Sequence, residues 1–174
     1  MSALNDRTIA VLATNGFEDS ELTSPVRALT DEGATVRIIT PGGEDIEGKN
    51  GTRITADLAT GEAEAADFDA LVLPGGTGNA DKLRMDEPAV KFVRALFDAG
   101  KPTGVICHGG WILTDADVLK GRTLTSYASL KTDLRNAGAT WVDEEVHVDN
   151  GLVSSRTPED LPAFNAKLLE EFAK

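Results

Sequence analysis

The sequence predicts an α/β fold built on a mostly parallel sheet, and three observations carry that reading. Short apolar runs at Ile9-Ala10-Val11-Leu12-Ala13, Ala70-Leu71-Val72-Leu73 and Thr103-Gly104-Val105-Ile106 each end on a polar or glycine-rich turn, as strands buried on both faces do. Between them, Leu22, Val26 and Leu29, and later Val90, Val93, Leu96 and Phe97, recur at helical spacing. Strands separated by helices pair in parallel, because each helix carries the chain back to the same sheet end. With 174 residues and neither an internal repeat nor a linker, the chain reads as one domain, 1–174.

The elements follow in order. Ile9–Ala13 opens the sheet, and a helix through Leu22 to Leu29 is capped by Gly33. Val36 to Thr40 supplies the next strand. Pro41 to Gly51, rich in Gly, Glu and Asp without periodicity, reads as a surface loop, and Arg53 to Ala59 as an edge strand. Beyond the second and third apolar runs, Asp117–Gly121 resembles a helix end. Leu130–Ala137 is a helix stopped by Gly138, and Trp141–Val148 a strand. Asn150-Gly151 signals a type I′ hairpin joining Val146-His147-Val148 to Leu152-Val153-Ser154. Thr157 as cap, Pro158 at the first helical position and the acids Glu159 and Asp160 open a last helix that runs to Phe172.

Composition narrows the function classes. Seventeen Lys and Arg against 29 Asp and Glu give a net charge of −12, which repels phosphate backbones and anionic lipid surfaces. Neither nucleic acid docking nor membrane association is expected. A single cysteine excludes an internal disulfide and suits a reducing compartment, so the expected location is cytoplasmic. No apolar stretch approaches the 18 residues of a membrane span.

Two glycine-rich turns follow buried strands. Pro74-Gly75-Gly76-Thr77-Gly78 lacks the spacing of a dinucleotide-binding loop, and no Gly-Lys-Ser/Thr occurs. Its glycines either simply turn the chain or present backbone N–H groups to an oxyanion. Cys107-His108-Gly109-Gly110 is the more pointed case. A cysteine between an apolar strand and the start of a helix is lifted above the carboxyl edge of the sheet, facing a helix N-terminus. That setting predicts a depressed thiol pKa and a nucleophile, against the bland alternative of an inert buried cysteine. His108 is the adjacent base or charge partner, and its backbone N–H is an oxyanion donor. His147 lies in the alternating run Glu145-Val146-His147-Val148-Asp149, where it is a surface strand residue or, through its spacing from Asp149, part of a rival triad. The turn after the first strand, Gly16-Phe17-Glu18-Asp19-Ser20-Glu21, carries acids that either stabilise a helix dipole or bond the thiol. Glu18 and Glu21 fall three apart on one face.

Several segments together resemble the PfpI-type intracellular proteases of the DJ/PfpI superfamily, including the bacterial general stress proteins. They are Phe17-Glu18-Asp19-Ser20-Glu21 with Pro25, Leu71 to Gly76, Gly100-Lys101-Pro102, Ile106-Cys107-His108-Gly109, Thr125-Ser126-Tyr127, Asn136 to Ala139, and Ser154 to Pro158. The resemblance implies a flavodoxin-like three-layer α/β sandwich with a nucleophile elbow. It implies Cys107 as nucleophile with His108 beside it, Glu21 as the acid bonded to the cysteine, Glu18 as a second acid of the motif, and Gly76 and His108 as the oxyanion hole. Asp81 matches a third carboxylate that some members take from a neighbouring subunit, which implies a homo-oligomer. Asp81 stands where the family has Glu, and Gly110 where proline is more usual, while His147 has no counterpart. The resemblance further implies a stress-response enzyme, free of metal and organic cofactor, acting on small carbonyl compounds or glycated protein in the manner of a glyoxalase or deglycase. Two alternatives stand beside it: a cysteine peptidase, and a non-enzymatic redox sensor or chaperone-like protein that uses oxidation of Cys107.

Overall fold

The computed structural model describes residues 3–174. In chain order the elements are β1 (Thr8–Leu12), α1 (Asp19–Asp31), β2 (Thr35–Thr40), β3 (Ile46–Glu47), β4 (Arg53–Ile54), β5 (Leu58–Ala59), β6 (Ala70–Leu73), α2 (Thr77–Leu83), α3 (Glu87–Asp98) and β7 (Thr103–Ile106). There follow α4 (Trp111–Asp115), β8 (Thr123–Leu124), α5 (Lys131–Asn136), β9 (Thr140–Trp141), β10 (His147–Asp149), β11 (Leu152–Ser155) and α6 (Leu161–Phe172). The main sheet has seven strands in the order β10-β11-β7-β6-β1-β2-β5, all parallel except β10. This is the flavodoxin-like sandwich, with helices on both faces.

Period-two alternation divides each central strand between two cores. Ile9, Val11, Ala70, Val72, Ile106 and Val153 face one side, where Leu22 and Leu29 of α1 and Phe164 and Leu168 of α6 cover them. Ala10, Leu12, Leu71, Leu73 and Val105 face the other, against Phe92, Val93 and Leu96 of α3 and Leu113 and Leu134 beyond. A strand with both faces covered cannot alternate apolar with polar, which is why these segments read as continuous apolar runs.

Two expected strands divide, and one expected loop holds a strand. The Arg53–Ala59 segment splits: β4 pairs antiparallel with β3 in a small separate hairpin, and only β5 joins the main sheet. The Pro41–Gly51 loop therefore contains β3, preceded by a tight turn at Pro41–Gly43. Trp141–Val148 likewise splits between β9, paired with β8 in a second small sheet, and β10 at the main edge. In each case a two- or three-residue strand is too short for periodicity to register, and its pairing is decided by distant segments. Thr157 makes no side-chain cap; a single 3₁₀ turn at Pro158–Asp160 leads into α6 instead. The hairpin at Asn150-Gly151 forms as expected, with both residues at positive φ (46° and 80°).

Candidate active site

The carboxyl ends of β1, β6 and β7 are adjacent in the sheet, so the turns that follow them converge at one edge. The turn after β7 is a 3₁₀ segment, Cys107–Gly110, leading into α4. Cys107 has φ of 60°, a conformation that costs a residue bearing a Cβ of order 1–3 kcal/mol and persists only where the surroundings impose it. They impose it here: Tyr127 donates its N–H to the Cys107 carbonyl at 3.1 Å, and a Cβ on the neighbouring Gly109 would press into the carbonyl of Pro74 at 2.9 Å. Backbone N–H groups of Gly76 and His108 both reach the sulfur. The two donors read from the sequence as an oxyanion hole are thus brought together, on either side of Cys107.

Gly76, at φ of 99°, caps α2, and any Cβ on it would fall 2.6 Å from the Glu18 nitrogen. This loop is held by Asn79, 1% exposed, which accepts Thr14 N–H at 2.7 Å and donates to the carbonyls of Pro74 and Gly75 at 3.1 Å each. One buried amide therefore ties the turn after β1 to the turn after β6.

Glu21, in the first turn of α1, is 0% exposed. Pro25, one turn on, has no N–H to give the Glu21 carbonyl, which relaxes the helix at that point. Glu21 Oε1 accepts the Gly75 N–H at 3.0 Å. Oε2 is buried without a partner of good hydrogen-bond geometry, while the carboxyl's interaction with another side chain is with the Cys107 thiol. Burial, reinforced by the neighbouring Glu18 charge, raises the Glu21 carboxyl to about 8, so it is protonated at neutral pH.

The depressed thiol pKa expected from the helix N-terminus is corrected by the structure. Burial first, and then a charged Glu21, push Cys107 up to about 12 against the pull of the two backbone N–H groups. The helical segment after Cys107 is short, and the residue is half-buried, so desolvation outweighs the dipole. While Glu21 keeps its proton the repulsion is absent, and its O–H is a donor for the sulfur.

His108 Nδ1 lies 3.4 Å from Cys107 Sγ. Its ring stacks on Tyr127 with centroids 4.8 Å apart at 25°, and Nε2 faces the hydroxyls of Ser129 at 3.3 Å and Thr77 at 3.5 Å. Desolvation and the charge on Lys49 lower its pKa, leaving a neutral imidazole at pH 7. Glu18 precedes α1, forms an ion pair with Lys49 and lines the same pocket. That pocket, about 420 Å³, is walled by Glu18, Glu21, Lys49, Gly76, Thr77, Cys107 and His108, with Tyr127, Thr157 and Pro158 opposite.

Five of the residues read from the sequence, Glu18, Glu21, Gly76, Cys107 and His108, therefore share one cavity. Asp81 does not: it is exposed on α2 and lines no wall of this pocket. His147 is held by Glu144 at 2.7 Å on the antiparallel edge strand, two strands from β7, which removes the rival triad. Asp19 is a structural acid. Burial works to raise its carboxyl, but N–H groups of Asn50 and Thr52, each 3.0 Å away, outweigh it and hold the pKa low. Lys49, Thr77, Asn79 and Ser129 were not legible as site residues. Tyr127 stood in a recognisable segment, but nothing in the sequence placed it against an imidazole. Among the described residues no cluster of three His, Cys, Asp or Glu side chains suits a metal ion, and no helix is long and apolar enough to cross a membrane.

Comparison with known proteins gives a consistent picture. Residues 7–171 match the family model described as the DJ-1/PfpI family. The chain is 45% identical over 164 residues to YraA of Bacillus subtilis, named provisionally as a cysteine protease, covering 94% of this chain and 96% of that one. It is 46% identical over 166 residues to protein/nucleic acid deglycase 2 of Escherichia coli, covering 94% and 96%. Among solved structures, a two-domain protein of Anabaena variabilis with DJ-1/ThiJ/PfpI-like and ferritin-like domains superposes with a TM-score of 0.92 at 35% identity. The match covers 95% of this chain and 48% of that one.

Proposed function

The chain belongs to the DJ-1/PfpI family, and from that premise we propose that it is a cofactor-independent cysteine enzyme of the stress response that acts on reactive carbonyl compounds or their adducts on protein. The observation that carries this reading is the setting of Cys107: a strained elbow residue between two backbone N–H donors, a buried protonated carboxyl and a neutral imidazole.

In the proposed reaction His108 Nδ1 takes the thiol proton as sulfur attacks an aldehyde carbon. Glu21 donates to the nascent thiolate, which offsets the burial that otherwise keeps the thiol protonated. The carbonyl oxygen gains negative charge within reach of the Gly76 and His108 N–H groups, then accepts the proton from His108 to give a hemithioacetal. With methylglyoxal, the proton on the former aldehyde carbon moves to the adjacent carbonyl carbon through an enediolate, His108 or Glu21 carrying it. The product is a 2-hydroxyacyl thioester. Water then cleaves the C–S bond, releasing lactate and restoring the S–H. Oxidation at one carbon balances reduction at the next, and water is the only co-reactant.

The third side of the imidazole favours this chemistry over peptide hydrolysis. A peptidase histidine must protonate a leaving amine, and a carboxylate normally orients and stabilises it. Here Nε2 meets two hydroxyls, and Asp81 could serve only if a second copy of the chain supplied it. The test is turnover of methylglyoxal and of a fluorogenic peptide by wild type, Cys107→Ser and Glu21→Gln. Lactate formation by wild type that falls at least about a thousandfold in Cys107→Ser supports the proposal. Undiminished turnover in Cys107→Ser removes the nucleophile. Peptide hydrolysis without lactate formation, in a protein shown by light scattering to be oligomeric, moves the assignment to a peptidase.

A further inference from the structure

Among the described residues, Lys49 is the one cation lining a pocket that otherwise carries two acids, in a chain of net charge −12. Its position is built rather than incidental. Asp19 accepts the N–H groups of Asn50 and Thr52, and the Lys49 N–H is held by the Phe17 carbonyl at 3.0 Å. At Gly48 a Cβ would run into the Asp19 carboxylate at 2.7 Å, so the turn packs directly against the acid. These contacts fix the turn carrying Lys49 onto the start of α1, beside the residues that bond Cys107.

The ion pair with Glu18 leaves the cation the outer partner: the Lys49 side chain is 55% exposed and that of Glu18 only 16%. An ammonium has three donors, and Glu18 does not exhaust them. The hydrogen bond and charge of Glu18 also raise the Lys49 pKa, which keeps the amine protonated and therefore unreactive toward aldehydes entering the pocket. His108 is neutral and adds no competing positive charge.

We propose that Lys49 forms an anion subsite beside Cys107, selecting carbonyl substrates that carry a carboxylate close to the reacting carbon. Resting on the carbonyl reading above, the inference names the substrate class. Mesoxalate semialdehyde, a 2-oxoaldehyde bearing a carboxylate, fits it and would be converted with water to tartronate, whereas methylglyoxal offers no charge for the subsite.

Alkylation of Cys107 tests the subsite without relying on turnover. The thiolate displaces iodide from either iodoacetate or iodoacetamide, two reagents of similar size that differ in charge, so thiol pKa cancels from their rate ratio. Relative to the same ratio for glutathione, wild type is expected to favour iodoacetate. Lys49→Met should lower the ratio about tenfold, Lys49→Arg should retain most of it, and Glu18→Gln, which frees the ammonium, should raise it. Added salt should erode the wild-type preference and raise the ratio of Lys49→Met, where the Glu18 charge is left to repel iodoacetate. A wild-type ratio no higher than glutathione's, or one unmoved in Lys49→Met, overturns the subsite and leaves Lys49 as a clamp on Glu18. Turnover then separates the two proposals. A ratio that responds to Lys49 in a protein that converts neither mesoxalate semialdehyde nor methylglyoxal keeps the subsite and discards the carbonyl chemistry. Where conversion occurs, Lys49→Met should depress kcat/KM for mesoxalate semialdehyde about tenfold more than for methylglyoxal.

Discussion

Replacing Glu21 by glutamine should stabilise the fold at neutral pH relative to acid pH while impairing the chemistry. The carboxyl is fully buried and its pKa is raised to about 8, against an ordinary value of 4.5. At pH 7 the unfolded chain therefore releases a proton that the folded chain keeps. Stability from this group is complete below pH 4.5, declines as pH rises toward 8, and is flat above. At about 1.4 kcal/mol per pH unit, the loss between pH 4.5 and 7 is on the order of 3 kcal/mol, a large share of a typical domain's stability. Glutamine keeps the oxygen that accepts the Gly75 N–H and has no proton to titrate. Urea denaturation of both proteins at pH 5 and pH 7.5 isolates the effect, because every other ionisable group is common to the pair. The stability of Glu21→Gln relative to wild type should rise by about 3 kcal/mol between those pH values. A difference that does not change with pH would refute the protonated Glu21, and with it the donor assigned to the thiolate. The protonated acid is thus a case of stability given up at a functional site.

Three further outcomes are expected. Asn79→Ala would orphan the Thr14 N–H and free the carbonyls of Pro74 and Gly75, costing about 2–4 kcal/mol by chemical denaturation and lowering kcat through a loosened Gly76. Gly110→Ala should stabilise by about 0.4–1 kcal/mol in the same measurement with activity retained, since φ is −73° and a Cβ would meet nothing nearer than Val105 Cγ2 at 4.0 Å. Asp160, 3% exposed, has a carboxyl that burial alone would raise, but Arg156, bonding it through both side chain and backbone N–H, holds it below 3.8. Its contribution is present above the ordinary pKa and lost as pH falls through the folded one. Asp160→Asn should accordingly lose about 3 kcal/mol at pH 7, measured by thermal or urea unfolding, with the gap to wild type closing below pH 4.

The central strands were legible because burial on both faces leaves only apolar residues, and Asn150-Gly151 because its turn demands positive φ at both positions. Cys107 with its glycines was legible for the same local reason: the elbow is a stretch of backbone that sequence specifies within four residues. Pairings such as β3 with β4 and β8 with β9 were not, since two-residue strands have no period and take their partners from elsewhere in the fold. The site divides the same way. Residue type and spacing marked Cys107, His108 and the acids Glu18 and Glu21, and the family resemblance singled out Gly76 and the role of Glu21, yet neither could supply the sign of the thiol's shift, because desolvation depends on how far the packed cores bury the sulfur. Nor could either find Lys49, whose place over Glu18 follows from a turn that Asp19 holds through backbone N–H groups of no particular sequence. Local backbone demands and periodicity belong to the chain itself. Depth, pairing and the distances between charges exist only once the two cores have closed around the sheet.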